Sequence, residues 1–297
     1  MTLDLQNAAS FMATHARILD RRRFQVLVGE GDTTDDTAAV LAALDGYRNS
    51  DGGYGWGLEP DLRTTESQPG AALHAFEAMA DAAPATTPNA AALCDWLHSV
   101  TLPDGGLPFA LPIRNPAGCA PFWVEADPKA SSLQITAAVA AHAHRVARFD
   151  TAVANHPWLE TVTRYCLDAT RAVDESSFAY VLSFALQFLD AAADIVPEAR
   201  ALLEHLGQFV PADGAIPVEG AEGETLHLVD FAPYPDRPVR ALLTENAVAA
   251  DLDRLASQQQ PDGGWTVDFP SHSPAAALEW RGYMTLRAVM TLRLNHR

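Results

Sequence analysis

The chain has 297 residues, 48% of them hydrophobic and 20% charged, a composition that buries a large core and excludes disorder. Its 20 Lys and Arg face 38 Asp and Glu, and the resulting net charge of -18 repels phosphate backbones and anionic lipid. The N-terminus has no basic segment ahead of an apolar one, and no apolar run approaches the roughly 20 residues that span a bilayer, so the expectation is a cytoplasmic protein with no integral membrane association and no nucleic-acid partner.

Between Gly and Pro punctuation the chain reads as helix, rich in Ala and Leu with few β-branched runs. Periodicity predicts helices over 5–23, 36–48, 67–82, 89–100, 131–148 and 157–171, then over 175–192, 197–209, 244–260 and 274–294. No stretch alternates as a central strand does. The stretch between 209 and 244 is proline-rich around 230–238, which leaves room only for loop and a short turn of helix.

An internal repeat punctuates these helices. Asp-Gly-Gly occurs at Asp51, Asp104 and Asp262, and a degenerate copy begins at Asp213, giving spacings of 53, 109 and 49. The middle gap is about double, as if a copy near His156 had lost its glycines. Each copy runs helix, turn, apolar or aromatic residues, proline-containing loop, helix. A period of about 50 divides the chain into roughly six helix pairs, the number that closes a ring. The expected fold is all-α, an α/α toroid of five to six helical hairpins forming one domain over 1–297.

Gln260-Pro261-Asp262-Gly263-Gly264-Trp265 matches the QW-type repeat, and through it the sequence resembles the α/α-toroid superfamily of squalene-hopene cyclases, class II terpene cyclases and protein prenyltransferase β subunits. Only this copy is complete: Asn49 and Tyr54 replace Gln and Trp in the first, and Leu107 stands at the aromatic position of the second. The chain also resembles a bacterial subgroup carrying the segments found here at 49–55, 58–63, 67–69 and 279–282. The resemblance implies architecture first, because QW repeats pin helix ends, and a shared fold licenses no chemistry by itself.

Class II cyclases begin with the middle Asp of Asp-x-Asp-Asp. The run Thr33-Thr34-Asp35-Asp36 is similar, with Asp35 in the acid's place, but Thr33 stands where the motif's first Asp belongs. The run also reads as a helix N-terminus whose Asp32, Asp35 and Asp36 complement the dipole, which its position before an outer helix favours. Its three-and-four spacing would admit Mg²⁺, without the second acidic cluster or basic clamp that diphosphate chemistry needs. No cofactor is otherwise expected. The 10 histidines contain no HxxxH beside a carboxylate, and His142 and His144 read as helix residues. Three distant cysteines argue against a disulfide framework.

The candidate site lies in the loops that enter the inner helices. Glu59, Asp61 and Glu279 are the candidate catalytic carboxylates, because an apolar cavity raises a carboxyl's pKa towards that of a general acid. Arg63, Trp56, Trp123, Asp230, Phe231, Trp280 and Arg281 are the candidate substrate-binding residues, with Glu66, Asp127, Lys129 and His227 at comparable positions. The same residues also form a plausible belt of loop-clamping salt bridges. Tyr180, Phe184 and Phe188 form a stripe that would stabilise a carbocation or simply pack. Three functions stay open: an isoprenoid cyclase or isomerase taking a small hydrophobic ligand, a carbohydrate-active enzyme with paired carboxylates, or a non-catalytic binding protein on the same fold.

Overall fold

Most of the long helices begin where the chain supplies a cap or a proline. A computed structural model describes residues 3–29 and 34–297. The helices run α1 (Leu5–His15), α2 (Ile18–Val28), α3 (Thr34–Asp45), α4 (Pro69–Asp81), α5 (Pro88–Val100), the single turn α6 (Pro121–Val124) and α7 (Leu133–Ala147). They continue with the single turn α8 (Thr151–Ala154), α9 (Pro157–Thr170), α10 (Ala179–Ala192), α11 (Pro197–Gly207), the single turn α12 (Leu228–Phe231), α13 (Glu245–Ser257) and α14 (Pro274–Leu294). Proline opens α4, α5, α9, α11 and α14, where its missing N–H costs nothing. Asp4, Ser132, Thr244 and Ser273 accept from first-turn N–H groups of α1, α7, α13 and α14.

The described residues are all-α apart from one antiparallel ribbon of two-residue strands, β1 (Ile216–Pro217) and β2 (Thr225–Leu226). The stretch 209–244 holds only that ribbon, α12 and a 3-10 turn (Pro238–Leu242), as its prolines predict. Among the described residues no helix is long and apolar enough to cross a membrane.

One expected helix is two. The predicted helix 5–23 breaks at Ala16 and Arg17, whose ψ angles are 158° and 155°. Neither Gly nor Pro marks the break. One tertiary and one local bond hold it: Arg17 Nη1 donates to Leu58 O at 2.9 Å, and Arg21 Nε to Ala16 O at 2.7 Å. The consequence is that α2 turns Asp20 and Arg23 into the interior, where both are buried.

Helix α7 packs against both α4 and α10, α9 covers α7, and α11 covers α10, while α14 packs on α1, α2 and α13. The lining of α4, α7 and α10 is buried almost all round, and small residues such as Ala72, Ala75, Ala137 and Ala185 let these helices approach closely. A second apolar cluster, with Phe11, Met12, Leu252, Trp265 and Leu292, joins the two ends of the chain. There Asn7 Nδ2 donates to Pro261 O at 3.1 Å and Asp4 N to Gln259 Oε1 at 3.0 Å.

The Asp-Gly-Gly copies share one geometry. In each, the residue two before Asp donates its N–H to the second glycine's carbonyl, at 2.9 Å (Asn49 to Gly53), 2.9 Å (Leu102 to Gly106) and 2.8 Å (Gln260 to Gly264). The Asp carboxylate accepts the second glycine's N–H and is tied to the next helix entry by Ser67, Ser131 or Arg281. Gly52, Gly105 and Gly263 have φ of 92°, 93° and 93°, which L side chains disfavour. Trp96, Tyr165 and Phe11 lie over the second glycine, where any Cβ would collide with them. The fourth copy keeps only Gly214, at φ 72°, and the Ala215 N–H bond to Asp213.

Candidate functional site

The loop from Gly57 to Arg63 is tied to both ends of the chain at once. Glu59 is buried and accepts from His74 on α4 at 2.7 Å and from the Asp61 N–H at 3.0 Å. Asp61, also buried, accepts from the Trp280 indole on α14 at 2.7 Å and from the His272 N–H at 3.2 Å. Burial pushes its carboxyl pKa up against those two bonds. Arg63 pairs with Glu279 at 2.7 Å. The structure therefore brings Glu59, Asp61, Arg63, Glu279 and Trp280 together across the chain's first and last parts, and each carboxylate already has a partner.

Aromatic rings surround this loop. Trp280 meets Phe269 and Tyr283 edge-on at 5.3 and 5.4 Å, Trp123 stacks on Phe109 at 4.4 Å, and Phe122 meets His272 at 5.9 Å. Trp56 and Phe122 are more than half exposed, the Trp56 indole donating to Asn49 at 2.8 Å. Arg281 instead grips the last turn, donating to Asp262 at 2.8 Å and lying over Phe11. Glu66 is held by Thr64 and Arg114. Asp127 caps its own exposed turn, accepting the Lys129 N–H at 2.9 Å.

Behind Glu59 runs a buried chain of charges. His74 sits between Glu59 and Glu77, with Glu77 Oε2 at 3.2 Å from its Nδ1. Glu77 Oε1 accepts from the Tyr283 hydroxyl at 3.0 Å and from Arg287 at 3.2 Å, and lies 3.4 Å from Arg23. Arg23 also bonds Asp81 at 2.7 Å, and Asp20 is bonded by Arg17 at 2.8 Å. Burial opposes the imidazolium, but the bonds to the two carboxylates prevail and push the His74 pKa up to about 9. Burial likewise opposes the Glu77 carboxylate, yet Arg23, His74 and Arg287 hold it well below the usual range. Four carboxylates (Glu59, Glu77, Asp20, Asp81) thus face four cations (His74, Arg17, Arg23, Arg287).

A third cluster lies where α10 meets α12 and the ribbon. The Asp230 Oδ2 accepts the His227 N–H at 2.7 Å in a capping box, and its Oδ1 has no hydrogen-bond partner among the described residues. Burial pushes the Asp230 carboxyl up to about 6, against the His227 bond and the Arg254 charge. Tyr180 donates its hydroxyl to Glu224, whose pKa burial also raises, and stacks on Phe184 at 5.8 Å. The Tyr180 hydroxyl feels the charge of Asp230. The third residue of the stripe, Phe188, is fully buried against His144. Phe231 is likewise core.

Asp35 is exposed and Asp36 partly so at the start of α3, while Asp32 and Thr33 lie outside the described residues. Among the described residues no group of three His, Cys, Asp or Glu side chains is placed to hold a metal ion. Sequence reasoning missed His74, Glu77, Arg23 and Arg287, and singled out Tyr283 only as one of the aromatic residues near the site. The available signal was polar spacing on apolar helices: His and Glu three apart in α4, Asp and Arg three apart in α2, Tyr and Arg four apart in α14. His142 and His144, expected as surface or partly buried helix residues, are both buried.

Compared with the models of known protein families the chain matches none, and it matches no curated protein.

Proposed function

We propose that this chain is an α/α toroid of the terpenoid-cyclase type that carries out acid-initiated isomerisation or cyclisation of an isoprenoid alkene in the cytoplasm, with Asp230 as the proton donor. One observation carries the choice of acid. Asp230 combines a raised pKa with a carboxyl oxygen that no described residue bonds, whereas both oxygens of Glu59 and of Asp61 are bonded and Glu279 is held in an ion pair by Arg63. A donor needs a pKa raised towards the working pH and an oxygen not already bonded by the protein.

In this reading the Asp230 O–H adds its proton to a carbon–carbon double bond and leaves a carboxylate and a carbocation. The faces of Tyr180 and Phe184 stabilise the cation. Loss of a proton from a neighbouring carbon, to Asp230 itself or to Glu224, restores a double bond, so the reaction is redox-neutral and needs no co-reactant. The Glu59–Asp61 loop and Trp280 shape the aromatic mouth, and Arg63 with Glu279 latches it.

The test is incubation of the purified chain with squalene, prenyl alcohols and prenyl diphosphates in deuterated water, with products analysed by mass spectrometry. Deuterium at the protonated carbon, lost in Asp230→Asn, is expected. No product and no exchange across the panel, or full turnover in Asp230→Asn, overturns the reading.

A further inference from the structure

Arg145 is a half-buried cation that pairs with no carboxylate among the described residues. On α7, its Nη1 donates to the Tyr234 hydroxyl at 2.9 Å and its guanidinium lies 4.4 Å over the Tyr234 ring. No carboxylate among the described residues lies within ion-pair distance of it. The nearest acidic influence, Asp190, is bonded by the Val239 N–H at 2.8 Å and by Arg237 at 3.2 Å. One turn earlier on the same face, His142 is 6% exposed and its Nδ1 has no hydrogen-bond partner among the described residues. Burial, then the charge of Arg145, keeps this imidazole neutral. Arg287 approaches from α14, but it is matched by Glu77 within the four-to-four charge network.

A buried polar nitrogen without a partner and a cation without an anion, side by side, are each costly, and one ligand relieves both. The geometry points to an anion site at Arg145 and His142, filled by the carboxylate of a monocarboxylic acid with an apolar tail. Arg145 matches the charge of one carboxylate in a fork geometry. A neutral imidazole has one N–H, which in the Nδ1 tautomer donates to the second oxygen. Charge selects the class: a monoanion balances Arg145, since Arg240 is already held by the Ala232 and Pro233 carbonyls and by Asn295, whereas a phosphoryl dianion would leave a negative charge near Glu77. Ala138 and Ala141 stand one turn before His142 and Arg145 on α7, and Met290 Sδ lies 4.0 Å from the Tyr234 hydroxyl, so the neighbours available to a tail are apolar. This site does not rest on Asp230 chemistry, and it stands whether or not the protein turns anything over.

The experiment titrates decanoate, decanol and decyl phosphate into the purified full chain, read by calorimetry and thermal melts. Decanoate is expected to bind at least tenfold more tightly than decanol and than decyl phosphate. Arg145→Gln, folded by circular dichroism, is expected to weaken decanoate at least tenfold and leave decanol unchanged. If Arg145→Gln does not fold, the comparison of acid with alcohol on the unaltered chain decides. Decanol or decyl phosphate binding as tightly as decanoate, or a folded Arg145→Gln with undiminished decanoate affinity, overturns the proposal.

Discussion

Glu77→Gln tests whether the buried charge chain holds the fold. Glu77 is 2% exposed and serves four donors: the Tyr283 hydroxyl at 3.0 Å, Arg287 and His74 at 3.2 Å each, and Arg23 at 3.4 Å. Glutamine keeps the size and one acceptor, removes the charge, and turns an amide N–H towards the His74 N–H. Breaking a buried pair on one side costs about 3–5 kcal/mol, because the partner's charge stays desolvated. At about 2–4 °C per kcal/mol, the melting temperature falls by about 6–20 °C. The pH profile adds a second readout. His74 has a folded pKa of about 9 against 6.5 unfolded, so its contribution is complete below 6.5 and lost as pH rises through about 9. That interval is worth on the order of 3 kcal/mol. Glu77→Gln removes one of the two carboxylates that raise this pKa, so the alkaline loss begins at lower pH. Urea and thermal unfolding from acid to alkaline pH measure both effects. A loss under about 1 kcal/mol with an unchanged pH profile would refute the claim that this network stabilises the fold.

Asp230→Asn keeps an acceptor for the His227 N–H and removes a half-buried ionisable group. Its folded pKa of about 6 exceeds 3.8, so the ionised carboxyl costs stability that grows as pH rises through that interval; the variant is expected to melt no lower than wild type above pH 6, by calorimetry, while losing turnover. Trp280→Phe removes the 2.7 Å bond to Asp61 and is expected to cost about 1.5–3 kcal/mol in urea unfolding. Gly263→Ala is expected to lower the melting temperature more than Gly105→Ala. Both share a positive φ, worth about 1–2 kcal/mol, but a Cβ at 263 would fall 2.1 Å from the Asn7 carbonyl while one at 105 meets nothing closer than 3.3 Å. Equal losses at the two glycines would show that backbone strain alone decides.

The helical class, nine of the ten predicted helices, the repeat and the irregular stretch 209–244 were legible in the sequence, since apolar periodicity, capping residues and Asp-Gly-Gly turns act over a few residues. The break at Ala16 was not, since it is made by Arg17 reaching Leu58, 41 positions away. The site was legible in part. The loop at 57–63 and the segment at 279–281 carry enough carboxylates, arginines and tryptophans to attract attention, and they do meet, through Arg63 with Glu279 and Asp61 with Trp280. Which carboxylates keep an open oxygen was decided only by tertiary structure. Glu59 and Asp61 look like candidate acids until His74 and Trp280 arrive to bond them, whereas Asp230 keeps an open oxygen because its short helix offers it one backbone donor. A side chain's type and spacing are local properties of the chain; its protonation depends on burial and on charges from distant segments, which exist only once the helices have packed.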